Sequence, residues 1–207
     1  MKQLRDLFED KNAIIKIKEK LPDLFHLAEL ESSRAGKIGM EVGVVRERII
    51  VAMLINFLGE EVVETEIATT EAEVDVIIYK KPVSIKTITG YLTGVKLIWT
   101  VDWDKAKEFQ QEYEPSCDMI FVQIVWGKTG GIYLFSQKSQ KEILDSIGRD
   151  KYIRLPPRGT NPRGVEISKE ALKNLTEHKS TKLIEIEWIK KNIDFNPYKR
   201  WLDYWRE

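Results

Sequence analysis

Two ionisable residues, Asp75 and Lys86, interrupt runs that are otherwise apolar or β-branched: Val74-Asp75-Val76-Ile77-Ile78-Tyr79 and Val83-Ser84-Ile85-Lys86-Thr87-Ile88. A charge in such a strand needs a partner, because an unpaired one is costly to bury. Which partner it meets depends on the turn between the runs. With a two-residue turn at Lys80-Lys81, Asp75 faces Lys86, Ile77 faces Ser84, and all four share one face of the hairpin. A three-residue loop instead sets Asp75 against Thr87, and a bulge restores the pair. Asp beside Lys across two strands has two chemical readings. One is a cross-strand ion pair, which is common and contributes little, and spacing alone favours it. The other is a hydrolytic centre, in which the carboxylate holds a hard divalent cation and the lysine acts on the attacking water.

The order of motifs tips the balance. Glu47 in a helix, then Val74-Asp75, then Ser84-Ile85-Lys86 resembles the core of the PD-(D/E)XK nuclease superfamily, over roughly residues 32 to 136. The resemblance implies an α/β fold, with a central mixed sheet flanked by helices and helical additions at both ends. It implies that Asp75 is the central Mg²⁺ ligand, that the Ile85 carbonyl is a second, and that Lys86 orients or deprotonates the water. Ser84 stands where the family usually has Asp or Glu, and a neutral hydroxyl is a poorer ligand. Glu47 is therefore the expected replacement, with Glu73 and Glu41 in reserve. Val74 replaces the motif's proline. Within the superfamily the chain most resembles a small type II restriction endonuclease, which implies a homodimer cutting double-stranded DNA at a short palindrome and leaving 5′-phosphates. The competing readings are a nonspecific or junction-resolving nuclease and a binding module on a decayed nuclease core.

Several elements must position these residues. Apolar residues at Leu4, Leu7 and Phe8, then at Leu21, Leu24, Phe25, Leu27 and Leu30, predict amphipathic helices broken near Pro22. After the small, glycine-bearing stretch Ser32 to Met40, a helix runs from about Val42 to Leu58. Its stripe is Val44, Val45, Ile49, Ile50, Met53, Leu54 and Phe57, and Gly59 is its stop. Asp102 caps a helix through Tyr113, and two strands, Cys117 to Trp126 and Ile132 to Ser136, form a hairpin about Gly127 to Gly131. A helix near Lys138 to Ile147 precedes a segment too rich in Pro and Gly for regular structure, Arg154 to Gly164. A further helix follows from Ser168 to His178. The chain thus reads as one nuclease domain: lead-in 1–31, catalytic core 32–136, recognition loop and helical C-terminal region 137–207.

Lys and Arg number 33 and Asp and Glu 33, so nucleic-acid binding must rest on local patches. One lies between Asp150 and Lys169, where Lys151, Arg154, Arg158, Arg163 and Lys169 face only Asp150 and Glu166. Arg158 and Arg163, with Thr160 and Asn161, have the side chains that read base edges. Arg34, Lys37, Arg46 and Arg48 offer further contacts near the Glu47 helix. Adjacent helix positions diverge by about 100°, so at most one of Arg46 and Arg48 points at a shared phosphate. Met40 is a candidate wedge for a base step from the minor groove. Trp201, Tyr204 and Trp205 share a helix face expected to pack on the body or on a second subunit. One cysteine, Cys117, in a β-like run predicts a buried free thiol, and with only two histidines a Cys/His zinc site is excluded. No run approaches the roughly 18 apolar residues of a membrane span, and no signal peptide is seen, so the expected setting is the cytoplasm.

Overall fold

The computed structural model describes residues 3–34, 37–39, 41–67, 73–100, 102–158 and 163–207, leaving aside the side chains of Arg34, Trp99 and Arg163. A 3-10 turn at Leu4–Phe8 leads into α1 (Lys11–Glu31), whose start is capped by the Asp10 carboxylate accepting from the Asn12 and Ala13 amides. A two-stranded hairpin, β1 (Ser33–Arg34) and β2 (Lys37–Ile38), precedes α2 (Val42–Leu58). There follow β3 (Val63–Glu64), β4 (Val76–Ile78), β5 (Lys81–Thr89), β6 (Gly94–Thr100), α3 (Trp103–Glu112), β7 (Asp118–Ile124), β8 (Thr129–Phe135) and α4 (Gln137–Ile147). The chain closes with α5 (Arg149–Tyr152), β9 (Ile153–Arg154), β10 (Arg163–Ser168), α6 (Lys169–Glu177), β11 (Lys182–Glu187) and α7 (Lys199–Arg206).

The central sheet has the order β11-β8-β7-β5-β4-β3, with β5 and β7 parallel and the other pairs antiparallel, so it is mixed, as the resemblance implies. Strand alternation splits the core in two. From β7, Ile120, Val122 and Ile124 join Phe25 of α1 and Ile50 and Leu54 of α2 on one face. Met119 and Phe121 join Leu144 of α4, Leu172 and Leu175 of α6, and Val165 and Ile167 of β10 on the other. Among the described residues no helix is long and apolar enough to cross a membrane.

Three expectations need correction. α1 is continuous through Pro22, which is buried along with Leu21 and Phe25. Packing along the whole helix outweighs the roughly 3 kcal/mol that an interior proline costs. The segment from Arg154 to Gly164 is not all irregular: Arg154 ends β9, and β10 begins at Arg163 and pairs with both β6 and β9. Alternating Val165 and Ile167, both fully buried, provide the reason. The third correction is the turn that sets the register of the Asp75 and Lys86 strands.

Candidate active site

That turn is Tyr79-Lys80, not Lys80-Lys81. Both residues have positive φ, 50° and 62°, the two-residue form whose twist matches a hairpin. The register runs Ile78 with Lys81, Ile77 with Pro82 and Val76 with Val83. Pro82 fits because it lies one step past the hydrogen-bonded pair that closes the turn, so β4 asks no N–H of it. On its other side β7 begins pairing only at Val83. The pairing of β4 with β5 ends at Val76: Asp75 is a bend, and its amide donates to the Val83 carbonyl at 3.1 Å, one residue out of step with the Val76–Val83 pair. Ser84 and Lys86 share a face of β5 by strand alternation, and the Asp75 carboxylate reaches both, so the three groups meet although the register differs from the expected one.

Past Val83, β5 has a strand partner only in β7 among the described residues, and its other edge is open through Thr89. Asp75 lies at this edge and gathers three donors on one oxygen. Its Oδ2 accepts from Ser84 Oγ at 3.1 Å, from the Ile85 amide at 2.6 Å and from Lys86 Nζ at 2.9 Å. The Asp75 and Lys86 side chains are 18% and 15% exposed, shielded yet reachable. All the hydrogen bonds Asp75 accepts among the described residues fall on Oδ2, leaving Oδ1 to another partner. In an extended strand a residue's N–H and C=O point to the same side. The amide that meets Asp75 therefore implies that the Ile85 carbonyl also faces the open edge.

Glu47, half-buried on α2, lies within electrostatic range of both charges. Its carboxyl is pushed above the ordinary glutamate value, chiefly by burial and then by the Asp75 charge, while Lys86 and Arg48 oppose the rise. The two reserve acids are engaged elsewhere. Glu73 Oε2 accepts from Ser116 Oγ at 2.5 Å, and Glu41 folds against Gly39 so closely that a Cβ there would collide with it. Two carboxylates and a main-chain carbonyl would make an all-oxygen donor set of the kind that suits a hard divalent cation, and such a cation would relieve the repulsion between Glu47 and Asp75. Among the described residues no third His, Cys, Asp or Glu joins the pair.

The proposed DNA contacts divide. Lys37 in β2 and Arg48 on α2 are exposed. Arg46 is not available to a phosphate: it is 4% exposed and ion-paired with Glu29. Arg158 is exposed, with its guanidinium 5.0 Å from the Trp103 ring centre, a stacking partner that sequence spacing gave no sign of. Arg154 is tied to Glu166 across the β9–β10 pair, which removes one cation from the basic patch. Arg34 and Arg163 end up in β1 and β10. Met40, Thr160 and Asn161, and the side chains of Arg34 and Arg163, lie outside the described residues. Cys117 is buried and free, and burial pushes its thiol up to about 11.

Two comparisons with known proteins point to one family. The family model described as restriction endonuclease ThaI matches residues 7–207. A solved structure described as a restriction endonuclease in complex with substrate DNA superposes with a TM-score of 0.93. It is 54% identical, over 98% of this chain and 98% of that one. No curated protein matches. The chain belongs to the ThaI restriction endonuclease family and is a type II site-specific deoxyribonuclease.

Proposed function

We propose that this enzyme hydrolyses both strands of a short palindromic site in duplex DNA as a homodimer, using Mg²⁺ and one active site per subunit. The observation that carries the reading is Asp75 Oδ2 gathering Ser84, Ile85 and Lys86 at the open edge of β5, with Glu47 in the same field. Asp75, Glu47 and the Ile85 carbonyl would hold the ion. When bound, Mg²⁺ polarises the scissile phosphate and lowers the pKa of its water. Lys86, fixed by its bond to Asp75, orients the attacking water and offsets negative charge building on the phosphoryl oxygens. Ser84 is 1% exposed and donates to Asp75, so its part is to aim a ligand rather than to be one. Water adds to phosphorus, the bond to the 3′ oxygen breaks, and the products are a 3′-hydroxyl and a 5′-phosphate.

Two-fold symmetry in the protein matches a palindrome and places a site on each strand. Arg158 and Arg163, with Thr160 and Asn161 between β9 and β10, are the proposed base readers; Arg34, Lys37, Met40 and Arg48 contact the backbone or a base step. The cytoplasm, with duplex DNA and conditions that keep Cys117 reduced, is the proposed setting. The test is incubation with a long duplex of known sequence in Mg²⁺ or EDTA, with fragment ends read by sequencing. Discrete Mg²⁺-dependent fragments sharing one end sequence and a 5′-phosphate are expected, and Asp75→Ala or Lys86→Ala yields none. Metal-dependent cutting retained by both variants refutes the assignment.

A further inference from the structure

Glu47 sits in the second turn of α2, where little holds the helix. Val44, expected on the buried stripe, is 52% exposed, and the N-cap residue Glu41 makes no side-chain cap. The buried residues of α2 are Arg46, Ile50 and Leu54; N-terminal to Ile50, half-buried Ile49 packs on the core, and the one fully buried side chain is a charged one. Arg46 Nη2 meets Glu29 Oε1 of α1 at 2.5 Å, and Nη1 donates to Thr89 Oγ1 at 2.9 Å. Thr89 ends the strand that carries Lys86. The guanidinium also lies over the Phe25 ring, 5.6 Å from its centre. Glu29 is itself held on both oxygens: only 3% exposed, it accepts from Trp126 Nε1 at 2.7 Å on Oε1 and from Lys190 Nζ at 2.7 Å on Oε2.

A buried ion pair is a poor source of stability, since apolar side chains of similar volume often do as well. What a guanidinium fork adds is direction, because its planar donors bind in fixed geometry. Held on one side by α1 and on the other by β5, Arg46 fixes both the rotation of α2 and its distance from the Lys86 strand. Glu47, the next residue, projects about 100° around the helix. We infer that Arg46, clamped between Glu29 and Thr89, is the positioning residue that sets Glu47 relative to Asp75 and Lys86. The inference rests on the reading of Glu47 as a metal ligand.

The experiment measures Mn²⁺ binding to the DNA-free protein, from the electron paramagnetic resonance signal of the free ion. It uses wild type, Glu47→Gln, Arg46→Met, Thr89→Val and the double variant Arg46→Met with Glu47→Gln. Their thermal midpoints in EDTA report folding. Loss of groups that orient a metal ligand typically weakens affinity about 10- to 100-fold. Arg46→Met is expected to weaken Mn²⁺ about tenfold and Thr89→Val by a few-fold. If Arg46 acts through Glu47, the double variant binds no more weakly than Glu47→Gln alone. If Arg46→Met does not fold, Thr89→Val, which keeps the Glu29 pair, carries the same test alone and in combination with Glu47→Gln. Unchanged Mn²⁺ binding in the Arg46 and Thr89 variants beside a weakened Glu47→Gln overturns the inference alone, as does full additivity. Unchanged binding in Glu47→Gln overturns the ligand reading, and the positioning role with it.

Discussion

The open edge of β5 and the C-terminal helix α7 can both be reached from solvent, but in opposite ways. At the edge, the strand charges are tied: Asp75 to three donors, Lys86 to Asp75, and the helix opposite to β5 through Arg46. In α7 no residue is buried, and Trp201, Leu202, Tyr204 and Trp205 are 55%, 43%, 71% and 89% exposed. The difference separates two kinds of accessible surface. Chemistry needs groups fixed before substrate arrives, because positioning carries much of the rate. A helix with no buried residue contributes little to the fold and is free to be ordered by something else.

The sharpest way to break the contrast is Asp75→Ala. It removes the proposed central ligand and leaves Ser84, the Ile85 amide and Lys86 without their shared acceptor. Cleavage should fall about a thousandfold or more, and stability by about 1–3 kcal/mol, read by single-turnover cleavage and by urea unfolding in EDTA. A variant with full stability would mean that Asp75 does not hold the edge together.

Next in size is the proposed base reader Arg158. Arg158→Ala should weaken binding to the cognate duplex by about 1–3 kcal/mol and to random duplex much less, if Arg158 reads a base. Equal weakening on both, with a shallower salt dependence, would reassign it to a phosphate.

Glu47→Gln should act in the opposite sense on stability and on activity. A carboxyl whose folded pKa lies above its ordinary value of 4.5 binds more protons in the folded than in the unfolded state across that interval. Stability therefore falls as pH rises through the interval and stays lower at neutral pH. Removing the charge should raise the thermal midpoint in EDTA at pH 7.5 by roughly 1–3 °C, and the gain should vanish below pH 4. A lower midpoint at pH 7.5 would contradict the burial and repulsion assigned to Glu47. The smallest effect is expected from deleting residues 198–207, which should move the midpoint in dilute protein by about 1 °C or less. A large drop would show that α7 is packed in solution.

The site was legible where it rested on period and order. The limits of α2 follow from its apolar spacing and Gly59, and Ser84 and Lys86 share a face of β5 by strand alternation whatever the turn before them. The turn itself was not legible, because Tyr79 and Lys80 are not residues that advertise positive φ, whereas the neighbouring Pro82 draws the eye. β10 was hidden by the Pro and Gly before it. The Arg46 clamp was invisible for another reason. Its partners Glu29, Thr89 and, through Glu29, Trp126 and Lys190 are scattered from α1 to the segment after β11, and no local pattern links them. The α/β class followed from the order of helices and strands, and the nuclease core from the resemblance.

An edge without a strand partner is also one that another strand could extend, and such edges invite aggregation. Along β5 the residues proposed for catalysis stand guard as well. The Asp75 carboxylate occupies the Ile85 amide that an incoming strand would need, and Lys86 places an ammonium beside it. On this view an inactivating substitution at Asp75 carries a second liability, self-association through the sheet, and a catalytically dead preparation needs its solubility checked before its DNA binding is read.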